Sequence, residues 1–220
     1  MIPGFVLAGG ASVRAGSDKA RAPSPGRWPM AAWTAGVLAA AGCGPVTIVR
    51  SVAIDERFER PLEPWVPDPG AGIPILLDGS PWRHPLFGAA AALRTCAGPA
   101  LLVATDMPGL TVDAVRALIA AGDRVVATDA DGRAALLLVA RQGDADRAAA
   151  LAQADAPIRA WVDGWPRLAL PENVLENRNG PAGSGPVADL LGTVPAPTSR
   201  MADGEAARLR ARGVLSPIRV

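Results

Sequence analysis

Short apolar runs alternate along the chain with alanine-rich stretches that have helical spacing. Gly4–Ala8 is a brief apolar run ending in Gly9-Gly10, and its length predicts a first strand. Met30–Ala41 has the spacing of a helix and is stopped by Gly42. Pro45–Val49 and Ile73–Leu77 read as strands; Pro74 stands near the start of the second, where a missing N–H matters little. Leu86–Thr95 predicts a helix and Ala100–Ala104 a fourth strand. Thr111–Ala121 is a helix with Thr111 as N-cap, Asp113 in its first turn and Gly122 beyond its end. Arg124–Thr128 and Ala134–Ala140 are strands joined through the turn-rich Asp129–Gly132, and Asp144–Gln153 is helical. The central strands are apolar at every position. That pattern predicts burial on both faces, in a mostly parallel sheet covered by helices. The hairpin-like pair adds one antiparallel strand. The expected fold is therefore α/β, three-layered and doubly wound.

Residues 180–204 are rich in Gly, Pro and Ser, and read as a linker before a short basic helix at Glu205–Arg212. Residues 1–183 are accordingly expected to form the domain, with 184–220 a C-terminal extension.

Composition narrows the function classes. The chain has 220 residues, 50% of them hydrophobic and 20% charged, enough to build a real core. The net charge is +1, from 22 basic and 21 acidic residues, so the electrostatic footprint of a nucleic-acid-coating protein is absent. No apolar run reaches the ~18–20 residues of a membrane span. The N-terminus has a short apolar stretch and no basic region, which reads as no signal peptide. Two cysteines, Cys43 and Cys96, suit small core residues better than a disulfide scaffold. These features predict a cytoplasmic protein with no nucleic-acid or membrane partner.

The most informative stretch follows the first strand: Leu7-Ala-Gly-Gly-Ala-Ser-Val-Arg-Ala-Gly-Ser-Asp-Lys-Ala20. Consecutive glycines there let backbone N–H groups approach a phosphate closely. Ser12 adds a hydroxyl donor, and Arg14 and Lys19 flank Gly16 with positive charge. Lys19 is the sole lysine; every other basic residue is arginine. The carboxyl end of a strand is also where open α/β sheets bind ligands. The stretch is neither a P-loop nor a G-x-G-x-x-G dinucleotide fingerprint. On glycines alone, a mobile surface loop fits equally well.

A second candidate is Asp106, which follows the fourth strand and precedes Pro108-Gly109. Asp106 lies too early to cap the helix at Thr111. A carboxylate at that edge, with phosphate oxygens, makes a Mg²⁺ site, while an ordinary turn aspartate is the alternative. Asp78 holds the parallel position after the third strand, where an Asp-Gly turn is nearly as good a reading. The amides of Asn177 and Asn179 can ligand a metal or orient a phosphate, or simply form a turn before Gly180-Pro181.

The first loop closely resembles L-A-G-G-x-S-x-R-M-G-x-D-K, the signature of the molybdenum cofactor guanylyltransferases and related small nucleotidyltransferases. The resemblance implies a Rossmann-like nucleotidyltransferase fold. It sets Leu7, Ala8, Gly9, Gly10 and Ser12 beside the nucleotide, and Arg14 and Lys19 on its triphosphate. Ala15 stands where methionine is usual. Asp106 falls on the family's magnesium aspartate, and Asp78 on an acid beside the guanine or ribose. Pro85–Gly88 is similar to G-P-L-x-G, with His84 in place of the first glycine. Asp131-Gly-Arg133 lies where the family contacts its second substrate, or is simply a turn. Asn177-Arg178-Asn179 resembles N-x-N-T-P, with Asn173–Leu175 as the strand leading into it.

The implied substrates are GTP and a molybdopterin or molybdenum cofactor phosphate, with Mg²⁺, and transient contacts to other cofactor-biosynthesis proteins. A CTP-dependent cytidylyltransferase for the same pterin is the alternative within the class, and a non-catalytic nucleotide-binding regulator the alternative outside it. The usual L-A-A-G of the cytidine enzymes sets them apart from Gly9-Gly10 here.

Overall fold

A computed structural model of the chain describes residues 1–9, 24, 29–51, 73–80, 82 and 84–175. Among these residues, seven strands form one sheet: β1 (Gly4–Leu7), β2 (Val46–Arg50), β3 (Ile75–Leu77), β4 (Ala100–Ala104), β5 (Val125–Thr128), β6 (Ala134–Ala140) and β7 (Arg167–Ala169). Their order is β3-β2-β1-β4-β6-β5-β7. β1 runs parallel to both β2 and β4, and β2 parallel to β3. β6 is antiparallel to β4 and β5, and β7 is parallel to β5. All strands but β6 therefore point the same way, and their carboxyl ends share one edge.

Helices cover both faces. α1 (Met30–Ala40) and α3 (Val112–Ala121) lie on one; α2 (Pro85–Arg94), α4 (Ala145–Gln153) and the short α5 (Ile158–Trp161) lie on the other. Strand side chains alternate between the two. Val6, Ile48, Leu101 and Val103 pack with Ala31, Ala35 and Leu38 of α1 and with Val115 and Leu118 of α3. Phe5, Leu7, Val49 and Leu102 pack with Leu86, Ala89, Ala90 and Leu93 of α2 and with Trp161. A central strand with a helix layer on each side has no polar face, which is why its residues are uniformly apolar. The three-layer, mostly parallel architecture with one antiparallel strand is the one the sequence predicts.

Helix ends follow local chemistry. Thr111 Oγ1 accepts the Ala114 N–H at 3.2 Å, capping α3. Gly42 and Gly122 follow α1 and α3 with φ of 97° and 133°, in the region that glycine tolerates best. At the β5–β6 turn, Asp129 Oδ1 accepts the Arg133 N–H at 2.8 Å and Gly132 takes a φ of 76°.

One expected element is different. Asn173–Leu175 belongs to a short helix, α6 (Glu172–Leu175), and the strand lies upstream as β7. Pro171 has no N–H to offer a sheet, and its carbonyl accepts the Val174 N–H at 3.0 Å, starting a helical turn. The predicted linker at 180–204 and helix at 205–212 lie outside the described residues. Among those residues, no helix is long and apolar enough to cross a membrane.

Cys43 and Cys96 are buried, unpaired thiols. Burial pushes the Cys43 pKa up to about 11. Burial also raises that of Cys96, partly offset by the Thr95 hydroxyl. The thiolate is the reactive form, so raised values mean little of it at pH 8. Native protein at pH 8 is expected to take up iodoacetamide far more slowly than urea-unfolded protein, as followed by intact mass. Equal rates would contradict the packing described for both residues.

Candidate active site

The site is built around the place where the winding of the sheet reverses. From β1 the chain crosses to β2 on one side; β4 lies on β1's other side. α1, which leaves β1, and α2, which leads into β4, cover opposite faces of the sheet, and such a reversal opens a crevice at the carboxyl edge. Leu7 to Gly9 and Thr105-Asp106 leave the sheet side by side at this crevice, as the parallel register Leu7↔Ala104 requires.

The end of β1 is held from both neighbours. The Leu7 carbonyl accepts the Thr105 hydroxyl at 2.8 Å and the Thr105 N–H at 3.3 Å. On the other side, the Ala8 N–H donates to the Val49 carbonyl at 2.8 Å. Leu7, Ala8 and Thr105 are all buried. The exit direction of the glycine loop is thus set by β2 and β4 together. Gly9 itself is an instance of close approach: a Cβ there would lie 3.0 Å from the Ser51 backbone nitrogen and 3.2 Å from Ser51 Cβ. Gly10, Ser12, Arg14 and Lys19, all assigned to the phosphates on sequence grounds, lie outside the described residues.

Asp106 sits half-buried in the turn after β4, one residue beyond Thr105. Met107 and Leu110 of the same turn are buried in the core with Leu170 and Val174. Gly109 touches α6 closely: a Cβ added there would fall 1.8 Å from the Asn173 carbonyl oxygen. The Asp106 turn and α6 are therefore in direct contact, although far apart in sequence. Asn177 and Asn179, two and four residues beyond Leu175, lie outside the described residues.

Asp78 ends β3 on the same edge. Its N–H donates to the Arg50 carbonyl at 2.9 Å, and its Oδ1 accepts the Ser80 N–H at 3.0 Å. Its carboxylate thus helps to shape the turn toward α2. Gly88 of α2 packs where a Cβ would meet Val49 Cγ1 at 3.4 Å and Leu7 Cδ2 at 3.6 Å, so α2 lies against the ends of β1 and β2. His84 is the N-cap of α2: its Nδ1 accepts the Leu86 N–H at 3.2 Å. That bond gives the lone histidine a structural task. Asp131 pairs with Arg133 at 3.3 Å on the exposed β5–β6 turn, at the same edge.

Sequence reasoning missed three contributors. Thr105 carries a signal only in hindsight: a hydroxyl at the end of an apolar strand, directly before an acid. Arg50, only 4% exposed, brings a buried guanidinium to the end of β2. Gly109 reads as a turn residue until its contact with α6 is seen. Among the described residues, no three His, Cys, Asp or Glu side chains converge to hold a metal by themselves.

The sheet order and carboxyl-edge crevice define a doubly wound α/β fold with its ligand edge at the ends of β1 and β4. The MobA-like NTP transferase domain matches residues 4–170, and the chain belongs to that family. A protein described as a probable molybdenum cofactor guanylyltransferase from Mycobacterium tuberculosis is 34% identical over 135 residues. That match covers 59% of this chain and 59% of the mycobacterial one, so it spans about three-fifths of each. Molybdopterin-guanine dinucleotide biosynthesis protein A from Archaeoglobus fulgidus has a similar structure, with a TM-score of 0.57 and 18% identity. The similarity covers 82% of this chain and 93% of that one. 2-C-methyl-D-erythritol 4-phosphate cytidylyltransferase from Thermus thermophilus also shares the fold, with a TM-score of 0.50, 15% identity and coverages of 82% and 93%.

Proposed function

We propose that this chain transfers GMP from GTP to the terminal phosphate of a molybdopterin or molybdenum cofactor, releasing pyrophosphate. The observation that carries the reading is the Thr105–Leu7 bond. It holds the end of β1, from which the loop with the candidate phosphate ligands follows in sequence, beside the acid that follows β4. Residues 1–183 would form the catalytic domain and 184–220 an extension to it.

In this reading Gly9, Gly10 and Ser12 offer backbone and hydroxyl donors to the triphosphate, with Leu7 and Ala8 beneath it. Arg14 and Lys19 neutralise the β- and γ-phosphates, which depart together as pyrophosphate. Asp78, at the end of β3, is the acid assigned to the guanine or ribose. Asn177 and Asn179 orient the acceptor phosphate. An oxygen of that phosphate forms the new bond to the α-phosphorus as the α–β bridging bond breaks, and pyrophosphate leaves with the bonding pair. No side-chain nucleophile is required; the protein's task is alignment and neutralisation of developing charge.

The donor set fits Mg²⁺. A single well-placed carboxylate, Asp106, suits an ion that prefers oxygen and completes its shell with substrate phosphates and water. When bound, the ion would screen the charge between incoming and departing phosphates.

The test is turnover with each of GTP, CTP, ATP and UTP, a molybdopterin acceptor and Mg²⁺, reading pyrophosphate and the pterin product. GTP-selective release supports the reading. CTP-selective release points to the cytidylyltransferase, and GTP binding without turnover points to a regulator. Lys19→Ala is expected to weaken GTP binding by roughly 1.5–3 kcal/mol, the worth of one charge-assisted phosphate contact. Calorimetric titration checks it, and an unchanged Kd would move the triphosphate away from the loop.

A further inference from the structure

We infer that Trp82 is a stacking platform for the flat 2-amino-4-oxo heterocycle of a substrate, resting on the reading above. Guanine and pterin share that ring edge and an extended aromatic face.

Trp161 and Trp165 are buried and Trp33 is half-buried, whereas Trp82 is 70% exposed. A single exposed apolar side chain is ordinary. The position of this one is what distinguishes it. Trp82 lies on the connection from β3 to α2, at the carboxyl edge of the sheet, four residues after Asp78 and two before the His84 cap. α2 then packs on Leu7 and Val49 at the strand ends that open the crevice. Leu77, directly before Asp78, is 56% exposed, so the apolar surface continues along the end of β3.

The backbone under the indole is tied down. Trp82 N–H donates to Ser80 Oγ at 3.1 Å, and Ser80 N–H donates to Asp78 Oδ1 at 3.0 Å. Ser80 is itself buried, so the turn is anchored in the protein. Held this way, the side chain loses little further backbone freedom when it meets a ligand. An exposed indole on an anchored turn at this edge offers a face on which a flat heterocycle stacks. A phosphate or a sugar would not use it.

The experiment compares wild type, Trp82→Ala and Trp82→Phe for GTP, inorganic tripolyphosphate and a molybdopterin acceptor, by calorimetry and steady-state kinetics. Loss of the stack is expected to raise the Kd or KM of one heterocyclic substrate about tenfold, with kcat little changed. Phe should recover most of that loss, and tripolyphosphate should bind all three proteins equally. A change confined to GTP assigns the platform to guanine; one confined to the acceptor assigns it to the pterin. Wild-type affinities for both substrates in Trp82→Ala would overturn the platform. So would an equal weakening of tripolyphosphate, which has no ring. A wild-type protein that binds neither GTP nor the pterin would instead overturn the nucleotidyltransferase reading and the platform with it.

Discussion

Replacing Asp106 by asparagine is expected to lower kcat/KM at least about a hundredfold, close to 2.7 kcal/mol of transition-state stabilisation. The amide has nearly the same shape as the carboxylate and Asp106 is only half-buried, so the substitution removes charge and leaves the packing intact. An amide oxygen is a weaker ligand for a hard cation than a carboxylate. The residual activity should therefore need more Mg²⁺, with the midpoint of the magnesium titration shifted upward. Magnesium titrations of the initial rate, beside unfolding curves of both proteins, provide the check. Wild-type activity with an unshifted midpoint would transfer the metal to another residue.

The second large effect is on architecture. Gly109→Ala sets a methyl group where the Asn173 carbonyl oxygen now stands, 1.8 Å from the ideal Cβ position. A backbone oxygen cannot swing aside as a flexible side-chain tip would, so α6 or the Asp106 turn must shift. Overpacking of this sort costs typically about 1–3 kcal/mol and sometimes more. Met107, Leu110, Leu170 and Val174 belong to the same buried cluster, so the disturbance spreads into packed residues. The turn that carries Asp106 and the chain leading to Asn177 meet at this contact. Gly109→Ala is accordingly expected both to lower stability in urea titrations and to reduce turnover in the protein that remains folded. Stability within about 0.5 kcal/mol of wild type would mean the contact yields freely.

These two residues differ in how well the sequence announces them. Asp106 is legible because an apolar run, an acid and Pro-Gly follow one another, and strand ends of α/β sheets are where ligands bind. The contact of Gly109 with Asn173 is a long-range event that no local pattern encodes. The same holds for the Thr105 hydroxyl, whose partner on Leu7 is 98 residues away.

The elements divide in a similar way. β4 and α3 fall within a residue of their expected limits, because turn residues bound their apolar runs. β7 and α5 are only three and four residues long and carry no period to detect. β7 exists because β5 offers it a partner: the Val126 N–H donates to the Pro166 carbonyl at 3.1 Å, and Leu170 N–H to the Thr128 carbonyl at 2.9 Å. Asn173–Leu175 has the composition of a short strand, yet Pro171 precedes it and the chain coils instead. Tertiary pairing decides such short segments, whereas propensity decides the long ones.

His84, the lone histidine, stands where the family signature has glycine, and its Nδ1 is the acceptor that begins α2. Asp78 accepts the Ser80 N–H at 3.0 Å, so the acid read from the sequence as a nucleotide contact also shapes the turn after β3.

The most direct measurement is a crystal structure of the full chain with a non-hydrolysable GTP analogue and Mg²⁺. The account predicts triphosphate density over Gly9 at the end of β1, and a metal peak bonded to Asp106 and to phosphate oxygens. Well-ordered nucleotide bound elsewhere, with neither residue in contact, would contradict it.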